Sequence, residues 1–432
     1  MSQVPASMYR ASSNDSVGND SIFLQHYYSV RTLTERLVAT LEPEDQCVQS
    51  MPDASHAKWH LAHTTWFFET LVLMPHARGY DPYDARYHYL FNSYYEALGP
   101  RHPRPQRGLL TRPNTEEVLG YRHHVDAAMK RLFERSGQTD RLKFENLAEL
   151  GLHHEQQHQE LILTDIKHAF SCNPLLPCYT PLPPLPVKSA PPLGWSDYAG
   201  GIVPTGHAGE DFAFDNEGPR HLVLLSPYRL ASRLVTCGEY LAFIEDGGYR
   251  RPELWLSDGW AAVQSQGWDA PLYWANEDGT WRAFTLNGVQ PVNRDEPVTH
   301  VSFYEAAAFA AWAGKRLPTE FEWEAAAITE PVAGNFLDPA RPHPKPASAG
   351  EKIAQMYGDC WEWTRSAYDP YPWFKPLSGA VAEYNGKFMC GQMVLRGGSC
   401  ATPPGHVRPS YRNFFPPAAR WQFSGIRLAE DV

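Results

Sequence analysis

One proline-rich run constrains this chain more than any other feature. Residues 172–194 read CNPLLPCYTPLPPLPVKSAPPLG. No helix interior survives so many rings, since each fixes φ and removes a backbone donor. The run favours an extended connector, so the chain on either side must build its own core. Long segments with helical periodicity precede it, and short apolar pieces set among Gly, Pro, Trp and Tyr follow. The expected organisation is a disordered leader over 1–21, a helical domain over 22–170, a linker over 171–197 and a second domain over 198–432.

Four segments of the first half place apolar residues on one helical face. They are Tyr27, Val30, Leu33, Leu37, Val38 and Leu41; Trp59, Ala62, Trp66, Phe67, Leu71 and Met74; Val118, Tyr121, Val125, Met129 and Leu132; and a stretch from Phe144 to Phe170. Asn114 and Glu117 form a capping pair ahead of the third. Four helices with one long connection over residues 76–113 predict a four-helix bundle, and a connection of that length points to function. The second half predicts an α+β domain with long loops, strands within HLVLLSPYRL, PVTHVSF and MVLRGGS, and one helix from Phe303 to Ala313 closed by Gly314. The fold class is therefore multidomain, α followed by α+β.

Charge and composition exclude several functions. Lys and Arg total 38 against 49 Asp and Glu, a net charge of −11, which disfavours phosphate backbones and so nucleic-acid partners. No run approaches the roughly 18–20 apolar residues that span a bilayer. The first residues lack the apolar stretch of a secretory signal, so a cytoplasmic location is expected. Seven cysteines, an odd number in a chain this long, read as reduced thiols.

The chemistry concentrates in LGLHHEQQHQELI. His154 and His158 are four residues apart and project from one helical face, a spacing that lets two imidazoles bind one metal. Apolar flanks turn this polar stretch toward the bundle interior, where imidazoles need partners. The facing segment KWHLAHTTWFFE offers His63 or His60 as a third ligand, with His56, His153 and His168 as weaker candidates. Three neutral nitrogen ligands suit Fe(II), Zn or Cu.

HLAHTTWFFE with HHEQQHQELI resembles the DinB-like domain of the nonheme-iron sulfoxide synthases of ergothioneine biosynthesis. EAAAFAAWAGKRLPTEFEWEAAA, GDCWEWTRSAY, VLRGGS and SYRNFFPPAARWQFSGIR resemble their second domain, related to formylglycine-generating enzymes and the C-type lectin fold. The resemblance runs from about residue 25 to the end. It implies Fe(II) on His63, His154 and His158, and a reaction that joins a thiol to the imidazole C2 of hercynine with O2, leaving a sulfoxide. The paired cysteines of formylglycine-generating enzymes are missing here, because Cys400 stands alone in the corresponding stretch.

The same resemblance assigns the substrates. Members that use γ-glutamylcysteine carry an aspartate and an arginine where this chain has Phe415 and Ala419, so free cysteine is the expected donor. Arg104 and Arg107 match arginines near the thiol's carboxylate, where a guanidinium fork fits. Tyr94 and Tyr95 match a tyrosine pair near the iron in cysteine users, where a phenol can supply a proton or hydrogen. Gln157 and Asn413 match positions that hold hercynine's imidazole and carboxylate. Phe414 replaces a tryptophan near its trimethylammonium, leaving a weaker cation–π contact. A γ-glutamylcysteine donor, a selenosugar donor, and histidine as acceptor (the ovothiol route) are alternatives within the same chemistry. A non-catalytic lectin-like protein and a zinc-dependent thiol transferase lie outside it.

Overall fold

The structure is a computed structural model that describes residues 16–181, 188–350 and 352–432. Four helices make the first domain: α1 (Ser16–Val38), α2 (Ala57–Phe67), α3 (Thr115–Arg135) and α4 (Glu145–Ser171). Helix α1 opens within the expected leader, and residues 1–15 lie outside the described ones. The apolar stripes are inside, with Tyr27, Val30 and Leu37 of α1 and Val118, Tyr121 and Met129 of α3 buried, except for Met74 of the second stripe, which lies past the end of α2 and is 50% exposed. The α3 cap forms reciprocally: Glu117 N donates to the Asn114 side chain at 2.8 Å, and Asn114 N donates to the Glu117 carboxylate at 2.7 Å.

Helix α2 is the centre of the bundle, buried along its whole length between α3 and α4. It continues into a π-helical turn over Phe68–Leu73, an irregularity often found beside functional sites. Helix α4 approaches closely because residue 151 is glycine. A Cβ there would stand 2.7 Å from the Phe68 ring.

A buried charge network sets the rotation of α4. Glu155 accepts from Arg31 at 2.8 Å, from Thr34 at 2.6 Å and from Arg122, while Arg31 also reaches Asp126 at 2.7 Å. Burial alone would raise the Glu155 carboxyl, but Arg122 and Arg31 bring it down to about 2. Helices α1 and α3 are thereby tied to the residue next to His154.

Residues 172–194 contain neither helix nor strand among those described. Among the described residues the second domain has twelve strands: β1 (Trp195–Tyr198), β2 (Gly201–Thr205), β3 (His221–Leu225), β4 (Tyr228–Ala231), β5 (Trp274–Glu277), β6 (Thr280–Thr285), β7 (Gly288–Pro291), β8 (Trp361–Ala367), β9 (Met393–Arg396), β10 (Asn413–Phe415), β11 (Ser424–Gly425) and β12 (Ala429–Asp431). They form sheets in the orders β1-β4-β12, β10-β9-β8-β11, β2-β3 and β5-β6-β7. Helices α5 (Cys237–Glu245), α6 (Ser257–Gln266), α7 (Phe303–Trp312) and α8 (Glu320–Ala327) accompany them, where one helix was expected.

Two of the three expected strand segments form. HLVLLSPYRL holds β3 and most of β4, and MVLRGGS opens with β9. PVTHVSF is instead one bridge at Pro297 followed by loop, because His300 takes a left-handed φ of 63° that an extended run cannot contain.

The domains meet along α4. Glu160, two residues beyond His158, accepts from Trp361 Nε1 at 2.8 Å, from Thr402 Oγ1 at 2.6 Å and from Ser399. The Trp-Glu-Trp and Arg-Gly-Gly-Ser motifs of the second domain thus grip the histidine-bearing helix.

Candidate metal centre

Helices α2 and α4 bring His63, His154 and His158 together. All three are buried, and one ring nitrogen from each lies within 4.8 Å of the others. His63 Nε2 stands 3.2 Å from His154 Nε2. Two nitrogens each about 2.1 Å from one ion at a right angle would be about 3.0 Å apart, so this pair fits adjacent ligand positions. Burial, assisted by neighbouring imidazoles, pulls His63 and His158 well below the ordinary histidine range. Burial likewise brings His154 to about 3, so all three rings are neutral donors at physiological pH.

Surrounding groups choose the tautomers. His63 Nδ1 donates to the Phe91 carbonyl at 2.6 Å, which leaves Nε2 as the free lone pair. Its ring is stacked between Trp59 at 4.5 Å and Trp66 at 5.6 Å. For His158 the partner is His60: the two Nδ1 atoms are 2.7 Å apart, and His60 Nε2 is 3.1 Å from Asp165 Oδ2. A carboxylate accepts, so His60 donates from Nε2, accepts at Nδ1, and leaves His158 Nε2 free. His60 therefore stands behind the triad as an orienting partner, a common arrangement around metal-binding histidines. His154 Nδ1 is buried without a hydrogen bond.

The weaker histidine candidates lie elsewhere. His56 caps α2 through Nδ1, accepting from Trp59 N at 3.0 Å. His153 stacks on Phe212 at 3.9 Å, and His168 Nδ1 lies 2.7 Å from Ser50 Oγ.

Arg107 lies directly behind this site. Its guanidinium covers Trp59 at 3.4 Å, on the ring that stacks on His63. It donates to Ser55 Oγ at 2.8 Å and weakly to Ser93 Oγ at 3.3 Å, while its buried Nε has no partner. Burial and the nearby Arg104 and Arg101 lower its pKa.

Both halves of the chain resemble known proteins. Residues 26–162 match the DinB superfamily, and residues 198–352 and 340–432 match the sulfatase-modifying factor enzyme 1-like domain. The chain is 34% identical to the hercynine oxygenase of Mycobacterium tuberculosis over 432 residues, covering 94% of this chain and 98% of that protein. With the hercynine oxygenase of Mycolicibacterium smegmatis the identity is 39% over 317 residues, 66% of this chain and 71% of the other. Ergothioneine biosynthesis protein 1 of Schizosaccharomyces pombe is 29% identical over 51% of this chain and 28% of its own length. The chain belongs to the hercynine oxygenase family. Among the described residues no helix is long and apolar enough to cross a membrane, and all seven cysteines are unpaired.

In this hercynine oxygenase family chain the other expected site residues fall into groups. Gln157 sits on α4 between two triad members and is gripped by the second domain. Its Oε1 accepts from Tyr384 at 2.6 Å, and its Nε2 donates to Tyr411 at 2.8 Å. Tyr94 and Tyr95 stack at 4.7 Å, and Tyr95 lies 5.6 Å from Trp66, one ring removed from His63. Burial raises both phenols, and the Tyr95 hydroxyl has no hydrogen-bond partner. Arg104 is exposed and donates to the Asp53 carbonyl, a rim position.

Asn413, Phe414 and Phe415 form β10. Phe414 stacks on Tyr368 at 4.0 Å and lies 5.9 Å from Phe388, which in turn contacts Tyr94 at 5.2 Å. Phe415 packs against Trp421 at 5.6 Å, and Asn413 Oδ1 accepts from Phe414 N at 2.9 Å. Sequence reasoning missed Tyr384, whose ring is 5.7 Å from His154, and also the roles of Tyr411, Asp165 and Trp59. Tyr384 and Tyr411 carry no local signal, since they lie more than 220 residues from the histidine motif.

Proposed function

We propose that this chain is an Fe(II)- and O2-dependent sulfoxide synthase that joins the sulfur of cysteine to the imidazole C2 of hercynine. The observation that carries the reading is the buried set of three neutral imidazoles whose free nitrogens converge. Fe(II) held there by His63, His154 and His158 would supply the redox partner for O2 and a Lewis acid that makes cysteine's thiol a thiolate at neutral pH.

This chain's residues then do the positioning. Arg107 is read as the seat of cysteine's carboxylate, supported by its burial, its unpartnered Nε and its place one ring from His63. Arg104 would draw the same carboxylate in from the rim. Gln157, fixed at both ends by tyrosines, would hold hercynine's imidazole beside the triad, with Asn413 toward its carboxylate. The aromatic wall of Phe414, Phe388 and Tyr94 is read as facing the trimethylammonium. Phe415 and buried Ala419 offer no charge to a γ-glutamyl group. Tyr94 or Tyr95 would supply the proton, and the unpartnered Tyr95 hydroxyl supports that role.

The test is an aerobic reaction of Fe(II)-loaded protein with hercynine and cysteine, read by product mass. Hercynylcysteine sulfoxide is expected, and none from His158→Ala. Oxidised cysteine as sole product, or equal turnover of histidine, would overturn the proposal.

A further inference from the structure

Nine residues beyond His158, α4 carries a lysine that the metal centre does not use. Nine residues are two and a half helical turns, so Lys167 leaves α4 on the face opposite His158 and about 13 Å along the axis. It opens into a cavity of about 490 Å³ between α4 and the 272–300 segment of the second domain. That size matches ordinary small-molecule sites.

Lys167 is 3% exposed, and among the described residues no carboxylate pairs with it. Its Nζ lies 2.7 Å from His300 Nε2 and over the rings of Tyr273 at 4.7 Å and Phe423 at 5.0 Å. The hydroxyl of Tyr273, another lining residue, is buried and has no hydrogen-bond partner. Tyr273 and His300 both hold left-handed backbones, with φ of 77° and 63°, and their rings meet at 4.8 Å. Non-glycine residues keep such conformations only where the surroundings fix them, commonly at ligand sites. Burial pulls the Lys167 amine down to about 7, with Cys400 opposing. An amine so placed regains its proton when an anion arrives.

We propose that this cavity is a second ligand site, separate from the metal centre, for a small monocarboxylate with a flat apolar body. The carboxylate would meet Lys167 and the Tyr273 hydroxyl. Phe284, Phe423 and Leu272 would enclose the body. Lys167 is the buried cation of the lining, Arg294 being exposed and Arg341 half-buried, and with the Tyr273 hydroxyl it matches a single negative charge, whereas a phosphate ester calls for more donors. Of the carboxylates in the lining, Glu296 is engaged by His343 at 3.0 Å, and Asp295 accepts from Ala190 N at 2.8 Å.

Phenylacetate serves as the probe, titrated calorimetrically into the iron-loaded full chain beside phenylacetamide and phenyl phosphate. Phenylacetate should bind saturably, and phenylacetamide about tenfold or more weaker. Lys167→Met should weaken phenylacetate binding by a similar factor, with iron content and melting temperature unchanged. Val292→Trp, which narrows the cavity and leaves the lysine in place, should also remove binding and serves if Lys167→Met does not fold. The proposal is overturned if phenylacetate fails to bind at millimolar concentration or binds either folded variant as it binds the parent. Equal affinity for the amide, or tighter binding of phenyl phosphate, overturns it too.

Discussion

Replacing His60 tests whether the third imidazole is held by its own packing or by a chain of hydrogen bonds. Asp165 accepts from His60 at 3.1 Å, and His60 accepts from His158 at 2.7 Å. His60→Ala leaves the His158 Nδ1–H buried and unpartnered, and the ring loses both its fixed orientation and added basicity. Outer partners of metal-binding histidines are worth about 10–100-fold in affinity, or roughly 1.4–2.8 kcal/mol. Competition with a chelator under anaerobic conditions should therefore show the Fe(II) Kd rising by that factor. A parallel thermal melt separates this loss from unfolding. His60→Gln, whose amide oxygen can still accept, should recover part of the affinity. Asp165→Ala should act through the same chain, so the double variant should cost little more than His60→Ala alone. Three results would refute the reasoning: an unchanged Kd, additive effects of the two substitutions, or complete iron loss from His60→Ala. The last would make His60 a ligand in its own right, whereas Ala at His63, His154 or His158 is expected to abolish tight binding.

Other expectations concern substrate, product and pH. Cysteine should exceed γ-glutamylcysteine in kcat/KM by about tenfold or more, because the extra charged groups find no partner at Phe415 and Ala419; equal constants would contradict this. Phe at Tyr94, Tyr95 or both should lower the sulfoxide-to-sulfinate ratio with iron content unchanged, and an unaltered double variant would make the pair structural. Burial brings His56 to about 3, far below its unfolded value near 6.5. The stability it contributes is thus present above about pH 6.5 and is lost as pH falls, by up to ~1.4 kcal/mol per pH unit. Stability from denaturant titrations between pH 7 and 5 should fall at least this steeply, since the other buried histidines add to it, and the fall should be flattened by about one proton in His56→Gln.

The sequence disclosed those parts of the fold whose cause is local. Proline chemistry marked the division, and helical periodicity with the Asn114 cap marked the bundle. The spacing of His154 and His158 marked one edge of the metal site. It left His60 and His63 both open, because residues three apart share a helix face. What separates them is Asp165, a partner 105 positions away from His60. In the second domain, Thr236 with Glu239 and Thr319 with Glu322 are capping boxes that announce α5 and α8. These helices are only nine and eight residues long, too short for a periodic stripe to stand out. PVTHVSF has the composition of a strand, yet contacts from α4 and the 273 loop hold His300 in a conformation that composition does not encode.

The two domains are coupled at the level of single hydrogen atoms. Tyr384 donates to Gln157 Oε1, which fixes the amide so that Nε2 donates to the Tyr411 oxygen. The Tyr411 hydroxyl lies 3.1 Å from His406 Nε2, and His406 Nδ1 lies 3.2 Å from Gln156 Oε1. Each group in this circuit has a consistent donor or acceptor role, so the amide between His154 and His158 has one orientation. The bundle alone could gather three imidazoles. Presenting a polar side chain between two of them in a fixed sense requires the second domain. That division explains why loops so far from the histidines, in sequence and in fold, contribute to one site.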